Sequence, residues 1–131
     1  MSYLLYVVVK LACYIAWCWL GLWLWRPHAS FGKALAFGAL RLGIGVVFGT
    51  VIFLAAGTQP EGLLWNYIAI YTPVRLVEWL ILAWLIRRAA DTRVPSTPWL
   101  WCVGGIVVSF VADFASPAGV AGHFCVGRCL C

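Results

Sequence analysis

Residues 34–56 read ALAFGALRLGIGVVFGTVIFLAA, and this stretch decides the fold class. Arg41 is its single charged residue. About 20 apolar residues in an α-helix, rising about 1.5 Å each, span a hydrocarbon core of about 30 Å. A strand in lipid would leave backbone groups unpaired, whereas a helix pairs them internally. The stretch therefore predicts a transmembrane helix.

Three further apolar stretches cover residues 3–25, 63–86 and 99–116, of which the last is the shortest. Short connections that contain proline separate the four stretches. Because short connections favour antiparallel neighbours, the sequence predicts an all-α membrane protein, a four-transmembrane-helix antiparallel bundle. Residues 1–131 then form a single transmembrane domain, and 117–131 are a short tail that contains cysteines.

The overall composition supports a lipid environment. Of the 131 residues, 65% are hydrophobic and 10% are charged, whereas soluble domains carry roughly 25% charged residues. The net charge of +5 does not come from a basic patch, and no phosphate-cradling or base-reading motif is present. The expected partners are the lipid bilayer and another membrane protein or a second copy of the chain, and not nucleic acid.

The basic residues outside the spans predict the orientation. Five of the nine basic residues lie in or beside the first and third connections, while the second connection has none. By the positive-inside rule, both termini face outward across the plasma (bacterial inner) membrane. The five basic residues are Arg26, Lys33, Arg87, Arg88 and Arg93. Tryptophans collect near the same inner interface: Trp23, Trp25, Trp84, Trp99 and Trp101.

Ionisable residues inside the spans form the main candidate site. Each costs about 2.5–3.5 kcal/mol at the bilayer centre, so these side chains are expected to face inward and to pair. They are Lys10, Arg41, Arg75, Glu78 and Asp113.

Alternating helix directions convert residue number into depth and thereby predict two clusters. Arg41 and Glu78 lie at similar depth, and Arg75 lies one turn from Glu78 on the same face. Lys10 and Asp113 lie nearer the outer side. Three roles stay open for these clusters: keeping the helices in register and docking a partner, forming a proton, ion or solute path, or binding an anionic lipid or cofactor.

Small residues predict close helix contacts. The segment GVVFG at 45–49 is a GxxxG pattern, and small side chains let helix backbones approach closely in lipid. The predicted packing positions are Gly38, Gly45, Gly49, Gly105 and Ser109.

The C-terminal tail carries a second candidate site. Cys125, Cys129 and Cys131 form a C-x-x-x-C-x-C pattern with His123 nearby. On the outer side, this pattern is compatible with a disulfide and one remaining thiol. Soft-metal binding by thiolates and the imidazole is a second interpretation. A third is an interfacial segment that carries a lipid or has no special chemistry.

The sequence points away from an enzyme and implies no cofactor. No nucleophile elbow, phosphate loop or HExxH motif is present. Glu78 and Asp113 lie at different predicted depths, so they do not form the carboxylate pair that hydrolysis uses. Both histidines lie in loops or at span ends, which does not suit a haem held between helices.

These observations predict a small, non-catalytic accessory or structural component of a membrane complex. A small oligomeric transporter or channel with a buried Arg/Glu network is the first alternative. A thiol-redox or metal-handling membrane protein that uses the tail cysteines is the second. The chain is similar in size and span number to small multidrug exporters, but those carry a glutamate early in the first span, where Lys10 stands here.

Overall fold

The computed structural model describes four ranges of the chain, and these are helical almost throughout. The described ranges are 3–25, 30–57, 64–89 and 98–117. The helices are α1 (Tyr3–Trp25), α2 (Phe31–Ala56), α3 (Leu64–Ala89) and α4 (Trp99–Phe114).

The helix ends follow local chemistry. α2 begins after Ser30, whose backbone is extended, and it starts three residues before the predicted span. Its C-cap is Gly57, where φ is +66°, a conformation that glycine adopts without steric cost. The Gly57 amide donates to the Phe53 carbonyl over 2.8 Å. α3 continues to Ala89 and includes Arg87 and Arg88 in its last turn, where positive charge complements the helix dipole.

Three of the four helices, α1, α2 and α3, are long and apolar enough to span a membrane. α4 is also apolar but has 16 residues. At about 1.5 Å per residue its length is roughly 24 Å, which is less than a core of about 30 Å.

The helices form a ring in which each packs against two neighbours. α1 and α3 each contact α2 and α4. Tyr6, near the start of α1, bonds Asp113 near the end of α4, and the rings of Trp19 and Phe31 meet where α1 ends and α2 begins. α1 and α2 run in opposite directions, because Ile15 also packs against Gly38. α3 and α4 do so as well, because Arg75 contacts Asp113 and Trp79 contacts Ser109. Since α1 is also opposite to α4, all consecutive helices run in opposite directions.

Aromatic side chains fill the middle of the bundle. Trp79 is fully buried, and its ring makes edge contacts with Tyr14 at 5.9 Å and Trp101 at 5.1 Å. Trp101 is only 7% exposed, so its ring packs inside the bundle and does not face outward. The outer surface of the bundle is also apolar. The side chains of Leu100 and Trp65, for example, are 90% and 76% exposed.

Candidate functional site

The Asp113 carboxylate is the centre of a buried polar cluster. Its Oδ1 accepts hydrogen bonds from the Tyr6 hydroxyl at 2.8 Å and from Lys10 Nζ at 2.6 Å. Its Oδ2 accepts from the Tyr67 hydroxyl at 2.7 Å and from Arg75 Nη2. Asp113 is 3% exposed. A carboxylate has about four lone-pair sites, so these four donors saturate it.

Helical spacing brings these donors together. Tyr6 and Lys10 are one turn apart on α1, and Lys10 Nζ also donates to the Tyr6 hydroxyl over 2.9 Å. Tyr67 and Arg75 are about two turns apart on α3, and Arg75 Nη2 donates to the Tyr67 hydroxyl over 3.3 Å. The Asp113 cluster therefore joins α1, α3 and α4.

A separate ion pair joins α2 to α3. Arg41 Nη2 donates to Glu78 Oε2 over 2.6 Å, and both side chains are buried. The guanidinium carbon of Arg41 lies 4.9 Å from the ring centroid of Tyr14 and 4.9 Å from that of Trp79. Such cation–π contacts stabilise a desolvated cation by about 2 kcal/mol. The two aromatic rings therefore replace part of the hydration that Arg41 loses on burial.

The network carries more positive than negative charge. Lys10, Arg41 and Arg75 face two carboxylates, Glu78 and Asp113, which leaves one surplus positive charge. Arg41 Nε, Arg41 Nη1 and Arg75 Nε are buried and have no hydrogen-bond partner within the described ranges. The guanidinium of Arg75 also lies 4.6 Å from the Phe110 ring centroid. Aromatic faces thus surround both arginines.

One of the predicted ion-pair partners differs from the partner in the structure. Arg41 pairs with Glu78 and Lys10 with Asp113, as the depth argument predicted. The predicted grouping of Arg75 with Glu78 is wrong, because its guanidinium forms an ion pair with Asp113. Helical side chains lean toward the helix N-terminus. Arg75 therefore reaches toward the beginning of α3, where the antiparallel α4 presents Asp113.

Sequence reasoning did not identify the aromatic members of the site. Tyr6, Tyr67 and Trp79 have polar groups that donate within the core. Trp79 Nε1 donates to Ser109 Oγ over 3.2 Å, so Ser109 is a hydrogen-bond acceptor as well as a small residue. The sequence did contain a signal for Tyr6, because this residue stands four positions before Lys10 and therefore lies on the same helix face.

Two of the predicted packing glycines lie at close helix contacts. A Cβ at Gly38 would lie 2.6 Å from the Ile15 side chain and 2.9 Å from its Cα. A Cβ at Gly105 would lie 2.5 Å from the Trp79 ring. Two further close contacts were not predicted, since a Cβ at Gly21 would meet Trp101 at 2.4 Å and one at Gly104 would meet Trp17 at 2.3 Å.

Gly45 of the GxxxG pair has a different environment from the predicted helix contact. A Cβ at Gly45 would meet Arg41 Nη1 of the same helix at 3.2 Å. Gly49 is buried. Gly45 therefore leaves room for the Arg41 guanidinium.

The cysteines divide between the bundle and the tail. Cys18 and Cys102 are buried free thiols, and Cys13 is a partly exposed one. Cys125, Cys129, Cys131 and His123 lie outside the described residues. Within the described ranges, no three His, Cys, Asp or Glu side chains come together as metal ligands would.

Comparisons with protein-family models, curated proteins and solved structures find no match for this chain. The chemistry of the charge network must therefore indicate the function. Two carboxylates bind three cations inside an aromatic core, and these contacts cross every pair of neighbouring helices except α1 and α2.

Proposed function

We propose that this chain is an integral membrane protein with four transmembrane helices that acts as a non-catalytic accessory or structural component of a membrane complex. Its location would be the plasma (bacterial inner) membrane, with both termini outside. Large apolar side chains on the outer surface and charged ones in the interior support a lipid environment. The positive-inside bias supports the orientation.

The main support for a structural role is that every hydrogen-bond acceptor site of the Asp113 carboxylate is occupied. Tyr6, Lys10, Tyr67 and Arg75 occupy its acceptor sites, and Glu78 is paired with Arg41. A group that relays protons or cations must exchange its partners during each cycle. A carboxylate held by two cations and two hydroxyls is better suited to fixing the rotation and depth of the helices.

The partner proposed for the complex is another membrane protein or a second copy of the chain. α2 offers an outward strip of small residues on which a helix could pack closely. A Cβ at Gly32 or Gly43 would meet no atom within 4 Å, and Ala36 and Ala39 between them are exposed.

Native mass spectrometry after mild extraction from the native membrane tests the accessory role. We expect a different chain or a second copy of this chain in fixed stoichiometry, and Gly43→Leu should reduce the retention of that partner. Val107→Leu adds bulk at an exposed position of α4 and is the matched control. A monomer in all extraction conditions would contradict the proposal.

A small oligomeric transporter or channel is the second candidate. The surplus positive charge and the unpartnered guanidinium N–H groups of Arg41 and Arg75 favour it, because such groups can bind an anion or ordered water. A homo-oligomer whose ion or solute flux in liposomes is abolished by Arg41→Met would favour transport. Equal flux in protein-free liposomes would exclude it.

A further inference from the structure

α3 carries a shallow apolar groove on its outward face. Val77, Leu80, Ile81 and Trp84 line a volume of about 380 Å³. These residues recur at intervals of three and four, so they share one side of the helix. Val77 is 45% and Trp84 51% exposed, which leaves the groove open to the surroundings of the bundle.

A positive charge is positioned at one end of this groove. Arg88 follows Trp84 by one helical turn, and its guanidinium carbon lies 4.5 Å from the Trp84 ring centroid. Arg88 is exposed, and it forms no ion pair with any residue in the described part of the chain. Stacking on the ring restrains the guanidinium while its N–H groups stay available.

The distance from Val77, at the far end of the groove, to Arg88 matches one leaflet of a bilayer. Arg88 follows Val77 by eleven positions, which corresponds to about 16 Å along the helix. Half of a hydrocarbon core of about 30 Å is roughly 15 Å. With Arg88 at the headgroup level, the apolar lining therefore reaches the middle of the bilayer.

We infer that the groove binds an anionic phospholipid. Its acyl chain lies along Val77, Ile81 and Trp84, and its phosphate accepts hydrogen bonds from Arg88. A guanidinium presents two parallel donors, which match phosphate oxygens. The inference rests on the membrane location proposed above and does not depend on the accessory role. An apolar helix from a partner would fill the groove without using Arg88.

Lipid titration monitored by native mass spectrometry tests this inference. The purified full-length protein is titrated in detergent with phosphatidylglycerol and, separately, with phosphatidylcholine of the same acyl chains. We expect tighter binding of phosphatidylglycerol, and Arg88→Gln should weaken it by about tenfold, the loss expected for charge-assisted hydrogen bonds. Ile81→Trp should weaken both lipids by occupying the groove.

Matched variants separate this site from general electrostatic attraction. Lys33→Gln removes a positive charge from the beginning of α2, at the same end of the bundle, and should leave phosphatidylglycerol binding nearly unchanged. Val107→Trp adds the same bulk as Ile81→Trp on α4. Equal effects of Arg88→Gln and Lys33→Gln, or equal affinity for both lipids, would overturn the inference. Failure of the purified protein to insert into phosphatidylglycerol liposomes, measured separately, would instead refute the proposed membrane location.

Discussion

Arg41 of α2 and Glu78 of α3 form a buried ion pair with a 2.6 Å separation between Nη2 and Oε2. The Arg41 guanidinium lies between the rings of Tyr14 and Trp79, which belong to α1 and α3. Three helices thus meet at one cation, so its charge has to be balanced within the bundle.

Removing either charge of this pair should destabilise the bundle. Glu78→Gln leaves Arg41 uncompensated, and we expect a loss of about 3–5 kcal/mol of unfolding free energy. Arg41→Met should have a similar effect, and the double variant should lose clearly less than the sum. Reversible unfolding in mixed micelles measures all three, with Lys33→Gln as the control. Strictly additive losses would show that the two residues do not interact.

Replacing Asp113 should remove the shared counter-charge of two cations. Asp113→Asn leaves Lys10 and Arg75 without a carboxylate, and we expect a loss of about 3–5 kcal/mol. Adding Lys10→Met should restore part of this stability, because it removes the surplus cation. The same unfolding assay measures both variants. No recovery in the double variant would contradict the charge balance described for this cluster.

The Tyr67 hydroxyl on α3 should contribute measurably to the free energy of unfolding. Tyr67→Phe deletes the donor that lies 2.7 Å from Asp113 Oδ2, and hydrogen bonds to charged groups are worth about 1.5–3 kcal/mol. Tyr3→Phe removes the hydroxyl of an exposed residue and should cost much less. Thermal unfolding in detergent compares the two variants, and equal midpoints would argue against a role for Tyr67.

Adding one methyl group should have opposite effects on stability at two of the glycines. Gly105→Ala places a Cβ 2.5 Å from the Trp79 ring, and overpacking of this kind costs about 1–3 kcal/mol. Gly43→Ala meets no atom within 4 Å and gains up to about 1 kcal/mol of helix propensity. Thermal unfolding should therefore give a lower midpoint for Gly105→Ala than for Gly43→Ala. A stabilising effect of Gly105→Ala would refute the close contact with Trp79.

The short fourth helix makes the topology testable. If α4 spans the membrane, both termini lie on the outer side. Alkaline phosphatase fused after residue 131 should then be active, and green fluorescent protein at the same position should be dark. The reverse pattern, with the N-terminus still outside, would show that the 16 residues of α4 do not cross.

The helices could be predicted because their determinants are local. The predicted 3–25 coincides with α1, and the other predicted ends lie within three residues of the observed ones. Apolar length and the scarcity of charge are read directly from the sequence. Opposite chain directions then place Arg41 and Glu78 at the same depth, which suffices to predict their pairing.

Only the tertiary structure decided which carboxylate binds Arg75 and which hydroxyls complete the site. Residue number gives depth along a helix, but it does not give the helix's rotation about its axis or the direction of a long side chain. Arg75 leans toward the start of α3 and thereby reaches Asp113. The same rotational freedom explains why the sequence did not predict that the Trp101 ring faces the core.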